Sequence, residues 1–217
     1  MTEQREINSF GNLYKKMDAT SKTRFHASRR LKLHAKFSTY TVVVLSLVLI
    51  LVSLMQAYDF GVNIKRKEVL LLQVFASIAV LVYSLLIEKN DFSSRSEKMY
   101  SCASKLGELK QQAHPYKTGE FNQDEYVRCR TEYHDVLKLY ETHSNNDFRG
   151  DYLRAKLEMP EDYKLKKKVR RWMTWKIWML HALDFCNYPI VAIALGFALY
   201  WVWFGIGVAD APKTIGA

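Results

Sequence analysis

The chain has 217 residues, with 32 Lys and Arg against 22 Asp and Glu, a net charge of +10. That length admits one or two soluble domains, but the mean hydropathy of −0.18 averages strongly polar segments with two runs almost free of charge. It excludes a polytopic transporter built of apolar helices throughout. The positive excess clusters beside the apolar runs, where topology and anionic headgroups explain it better than nucleic acid does, so no direct nucleic-acid binding is expected.

Cys102, Cys129 and Cys186 are odd in number and widely spaced. Without a Cys-x-x-Cys pair or zinc spacing to a histidine, they predict reduced structural thiols and no metal site. The first apolar run begins about 40 residues in, behind many charges and with no small-residue cleavage site, so it is expected to stay in the mature protein.

Phe10, Leu13, Tyr14 and Met17 fall at i, i+3, i+4 and i+7, which predicts a short amphipathic helix over 1–20 for a membrane surface or a partner. Ser21 offers an N-cap for a second helix that meets no Gly or Pro before the first span. Residues 42–57 and 69–87 form the centres of two segments near 20 residues. A helix of that length rises about 30 Å and crosses a hydrocarbon core. The polar link 59–68 joins them into a transmembrane hairpin.

Nine Lys and Arg precede the first span, three lie in the link and eighteen lie between residues 89 and 171. Both ends of the hairpin are therefore expected in the cytoplasm. Phe92, Met99, Leu106 and Ala113 recur at intervals of seven, interleaved with Cys102 and Leu109, a short heptad seam that suits a helical hairpin or an oligomer stalk equally. Pro115 should end this helix. Asn122 caps the next one, with Glu125 completing an approximate capping box, and Tyr126, Cys129, Tyr133, Val136, Leu137 and Tyr140 continue the spacing. These two helices are expected to fold back on each other. A shorter helix should follow, with Phe148, Tyr152 and Ala155 on one face.

Met159-Pro160-Glu161-Asp162 reads as a further helix start. It leads through Lys167, Lys168, Arg170 and Arg171 to Trp172, Trp175 and Trp178, and cations followed by indoles suit a membrane interface. Arg29 and Arg30 are assigned to the same interface before the first span. Lys176, His181 and Asp184 argue against a deep span there; His181 and Asp184, at i and i+3, are neighbours able to pair or sense pH. Pro189 should restart the helix, and residues 190–208 carry no charge, giving a third span with Trp201 and Trp203 in its aromatic belt and a tail outside. Two short passes over 172–208 are the alternative.

No Gly-rich phosphate loop, Gly-x-Ser-x-Gly or His-Glu-x-x-His occurs, and Glu132, His134 and Asp135 read as a solvated face. No enzyme and no cofactor is expected. The informative signal lies in the spans. Thr39, Ser46 and Ser53 recur every seven residues, with Gln56 three further on, and Gln73, Ser77, Ser84 and Glu88 make a second stripe. Lipid would waste their hydrogen-bonding groups, so the stripes should face protein or water. They either glue the hairpin or line a pore with Glu88 near its mouth. Ala192 and Gly196, with Ala194 and Ala198, give small-xxx-small spacing that favours close helix packing and a homo-oligomer.

The basic N-terminal helix with Arg29-Arg30, two spans on a short link, and a helix continuing through Ser96-Glu97-Lys98-Met99-Tyr100 resemble the SLATT family, the bacterial SMODS- and SLOG-associating two-transmembrane effector domains. The resemblance covers roughly residues 15–112, and the region to residue 208 resembles an extension carrying a third span. It implies an effector in the bacterial inner membrane that serves antiphage defence and abortive infection. Such an effector would permeabilise or depolarise the membrane when a nucleotide-synthesising, nucleotide-sensing or reverse-transcriptase partner triggers it. Arg128, Arg130, Arg149 and Arg154 are then available for phosphates. A non-pore anchor, receptor or scaffold subunit is the alternative.

The expected architecture is an all-α membrane protein. It has basic cytoplasmic helices over 1–38, a transmembrane hairpin over 39–88 and a cytoplasmic helical region over 89–171. An interfacial helix over 172–188, a third transmembrane helix over 189–208 and a tail over 209–217 complete it. Met99, Cys102, Leu106, Leu109, Ala192 and Gly196 are its packing or oligomer positions.

Overall fold

The computed structural model describes residues 2–117, 122–140, 147–160, 162–163 and 165–205, and every regular element among them is helical. The helices are α1 (Thr2–Ala57), α2 (Lys67–Asn90), α3 (Phe92–Ala113, extended by a 3-10 turn at His114–Lys117), α4 (Gln123–Leu139), α5 (Asp147–Leu157), α6 (Lys167–Phe185) and α7 (Asn187–Phe204). Three helices are long and apolar enough to cross a membrane. The chain divides into two compact units, residues 1–35 with 91–184 and residues 36–90 with 185–217.

In the first unit the heptad seam is buried inside the chain. Phe10, Leu13 and Met17 of α1 pack with Cys102, Leu106, Leu109 and Ala113 of α3 and with Cys129 and Tyr133 of α4. Ala27 and Leu31 pack with Met99. Each large side chain so buried contributes roughly 1.5–3 kcal/mol, and the stripe at Phe10 is taken up by the chain itself. Ser21 does not cap a helix: α1 runs through it, and the buried Ser21 hydroxyl donates to the carbonyl of Ala103 at 2.8 Å.

A polar ladder continues this antiparallel α1–α3 contact. Lys110 pairs with Asp18 at 2.8 Å, Arg24 Nη1 lies 2.8 Å from the Met99 sulfur, and Ser96 donates to the Ser28 carbonyl at 2.9 Å. Burial pushes the Asp18 carboxyl up, but hydrogen bonds from Lys110 and Lys22 bring it below its ordinary value. Asp91, left-handed at φ 39°, starts α3, and its side chain accepts from the Ser94 N–H. The helix expected to continue from the second span is therefore interrupted there, at a residue type that tolerates this backbone.

Asn122 caps α4 as its sequence predicts, accepting from the N–H groups of Asp124 and Glu125. On α5 the buried face carries Asp151 and Ala155, at 2% and 0% exposure, whereas Tyr152 is exposed. The face expected there is thus rotated. Phe148 lies outside the residues whose side chains are described. Among the described residues no helix starts at Met159-Pro160; Met159 is buried, Lys15 Nζ donates to the Asp162 carbonyl at 2.9 Å, and α6 begins at Lys167.

The second unit holds residues 36–57 of α1, α2 and α7. Leu47, Ile50, Phe75, Leu81, Ile193 and Phe197 are all more than half exposed, a surface that water would not tolerate at this extent and lipid would. Its small core joins Val52, Met55, Ile64, Val69 and Val202.

Candidate functional site

The two polar stripes fall in the second unit. Thr39, Ser53, Ser77, Ser84 and Glu88 are exposed, and Ser46, Gln56 and Gln73 are half-buried. Ser53 donates to the Leu49 carbonyl at 2.9 Å, Ser77 to Gln73 at 2.8 Å and Ser84 to Val80 at 2.8 Å. This revises the sequence argument: a serine bonded to its own helix at i−4 meets its hydrogen-bond requirement in lipid, and its stripe is not forced toward protein or water. One contact joins the stripes, Gln73 Nε2 donating to Ser53 Oγ at 3.4 Å.

The link between α1 and α2 has a role that spacing did not reveal. The last four carbonyls of a helix lack intrahelical partners, and leaving such groups bare near lipid costs several kcal/mol each. Here the Val62 N–H donates to Trp203 O at 3.4 Å and the Asn63 N–H to Val202 O at 3.2 Å. The buried Asn63 side chain donates to Trp201 O at 3.0 Å. Gly205 ends α7 at φ 61°, and a Cβ added there would lie 2.6 Å from Val62 Cγ1. Helix α7 therefore stops at Phe204, short of residue 208; residues 206–208 lie outside the described set.

Ala192 and Gly196 are exposed on α7, and a Cβ at Gly196 would meet nothing within 4 Å. Ala194 and Ala198 instead line an apolar cavity of about 250 Å³ with Val48, Val52 and Ala76. Trp201 is half-buried and packs on the small core, and Trp203 is exposed.

The first unit holds an ionic centre. Arg30 Nε donates to Asp151 Oδ2 at 3.1 Å, and Arg30 Nη1 lies 3.8 Å from Asp184 Oδ2. These residues border a cavity of about 160 Å³ with Arg154 and His181. Burial raises the Asp151 carboxyl above its ordinary value despite the facing guanidinium. Burial and the charge of Arg30 lower His34, and burial and Arg154 lower His181. Arg30, assigned from sequence to the membrane interface, faces this centre with 13% of its side chain exposed, because Asp151 would otherwise be a buried charge without a counterion. Asp151 was missed. Its position four residues before Ala155, hence on the same helix face, is the signal that would have found it.

Lys167, Lys168, Arg170, Arg171 and all three of Trp172, Trp175 and Trp178 are exposed, while Met173 and Ile177 of the same helix are buried. Among the described residues no three metal-ligating side chains converge.

A family model, SMODS and SLOG-associating 2TM effector domain family 5, matches residues 7–202. No curated protein and no solved structure gives a significant match. The match reaches almost to the end of α7, so the third apolar helix lies within the family region and is not an appendage to it. A helical chain with three candidate spans, matched over nearly its whole length, belongs to the SLATT family of membrane effectors, family 5.

Proposed function

We propose that this effector acts in bacterial antiphage defence by oligomerising in the inner membrane and permeabilising or depolarising it. A partner that makes or senses a nucleotide signal, in keeping with the SMODS and SLOG domains of the family's name, triggers it. The N-terminus and the helices of the first unit face the cytoplasm in this reading, by the charge asymmetry of the loops. Helix α6 lies in the headgroup region with its exposed tryptophans and cations, and α7 crosses to the outer side.

The observation that carries the reading is an apolar three-helix unit that leaves Ser77, Ser84 and the Ala192–Gly196 strip uncovered. Small residues permit close approach of a second copy, and the outward hydroxyls keep acceptor capacity for water in a shared channel. The Gln73–Ser53 contact favours a second reading, in which the stripes hold the hairpin together and the chain is a non-pore anchor or scaffold for a partner.

Replacing Ser46, Ser53 and Ser84 with leucine separates the two. Dye-reported depolarisation on induced expression, with and without the proposed partner, should disappear in the triple variant while membrane insertion persists. Unchanged depolarisation would remove the serine stripes as the pore lining, and no depolarisation by the unaltered chain would leave the scaffold.

A further inference from the structure

We propose that a groove between α1 and α3 of the first unit binds the phosphate of a single anionic phospholipid headgroup. The groove encloses about 720 Å³, and its lining includes Arg29 and Lys32 of α1 and Ser93, Glu97, Tyr100 and Ser101 of α3. It goes beyond the proposed membrane permeabilisation and does not depend on it.

The cations identify the ligand. Neighbouring basic residues of α1 are engaged within the chain: Lys22 with Asp18 at 2.9 Å and Arg30 with Asp151 at 3.1 Å. Arg29 and Lys32 are exposed, and neither has an ion pair among the described residues. They stand at i and i+3, where side chains are neighbours on one helix face, and both border the groove. Ser28 and Ser96, at its floor, are hydrogen-bonded to each other at 3.2 Å, so Ser93, Ser101 and the Tyr100 hydroxyl supply further donors.

Position and shape favour a lipid over a soluble anion. Lys32 precedes Thr39, where the apolar run begins, by seven helical residues, about 10 Å of rise. Long basic side chains span such a distance to the headgroup level. Phe25 and Tyr100, ring centroids 5.5 Å apart and edge to face, line the groove at the positions farther in sequence from the apolar runs. Ala35 and Ser93, the lining residues nearest the apolar runs in sequence, are small and add no bulk beside a diacyl headgroup. Two cations against Glu97 leave a charge of +1, which matches a phosphodiester monoanion better than a polyphosphate.

The test reconstitutes the full chain in nanodiscs of phosphatidylcholine doped with phosphatidylglycerol and counts retained lipids by native mass spectrometry. One phosphatidylglycerol per chain should be held in preference to phosphatidylcholine. Arg29→Gln with Lys32→Gln should lower that retention by about twenty-five-fold, since each cation near an anionic headgroup contributes about a factor of five and the two factors multiply. Glu97→Gln, an exposed change outside the core, should raise it. Equal retention of the two lipids, an undiminished count in the double variant, or no gain in Glu97→Gln would overturn the proposal. Displacement of the lipid by millimolar inorganic phosphate would also overturn it, by assigning the groove to a soluble anion.

Discussion

Arg30 of α1 and Asp151 of α5, 121 residues apart in sequence, meet at 3.1 Å with 13% and 3% of their side chains exposed. The pair ties α5 to the helix that continues into the first apolar run. Breaking a buried pair by removing one partner strands the other charge, at a cost of about 3–5 kcal/mol, whereas replacing both with apolar groups is often neutral. Arg30→Met should therefore lower the thermal midpoint of the purified protein sharply, and Arg30→Met with Asp151→Leu should recover most of the loss. A double variant no more stable than Arg30→Met alone would show that the pair is not the relevant contact.

The same centre sets a pH response. His34 and His181 sit below their ordinary value of 6.5, so the folded state disfavours their protonation. Their contribution is present above pH 6.5 and is lost as pH falls below it. Asp151, raised above 3.8, acts in the opposite sense, because the folded state binds its proton more readily and stability returns as that carboxyl protonates. Asp18, held below 3.8, contributes above that value and loses its contribution under stronger acid. Denaturation profiles between pH 7.5 and 5.5 should thus show falling stability, and His34→Asn with His181→Asn should flatten the fall.

At the link, Asn63→Ala removes a buried donor from the Trp201 carbonyl. That carbonyl still accepts from the Gly205 N–H at 3.1 Å, so the variant loses one hydrogen bond, worth about 0.5–1.5 kcal/mol, and should loosen α7 from the hairpin. Gly205→Ala should act in the same direction, since alanine is strained at φ 61° and its Cβ would meet Val62. Faster limited proteolysis within α7 in detergent, with little change in the first unit, is the expected readout.

The cysteines should separate by reactivity. Cys102 and Cys129 are buried, and burial raises both thiols above their ordinary value, which suppresses the reactive thiolate. Cys186 is only half-buried. Maleimide in detergent should label Cys186 first and the other two only on unfolding, with mass spectrometry of the peptides giving the order.

Much of the helical plan can be read from periodicity. The 3,4 spacing of Met99, Cys102, Leu106 and Leu109, the cap at Asn122 and the charge-free runs are local properties of the chain, and local backbone and hydropathy rules suffice to interpret them. Spacing did not reveal which partner a stripe would meet. The heptad seam admits an oligomer or an intramolecular bundle on equal terms, and the packing of Phe10, Leu13 and Met17 against it within one chain is a tertiary fact.

Polar residues divide in the same way. The sequence by itself determined that the protein is helical, membrane-spanning and basic beside its spans, because hydropathy and charge act residue by residue. Only the tertiary structure decided that Arg30 turns inward to Asp151, that Asn63 closes the end of α7, and that the span serines bond to their own helices. The first two depend on a buried group finding a distant partner, whereas the exposed span serines turn to carbonyls one helical turn back. A partner 121 or 138 residues away leaves no periodic trace in the chain.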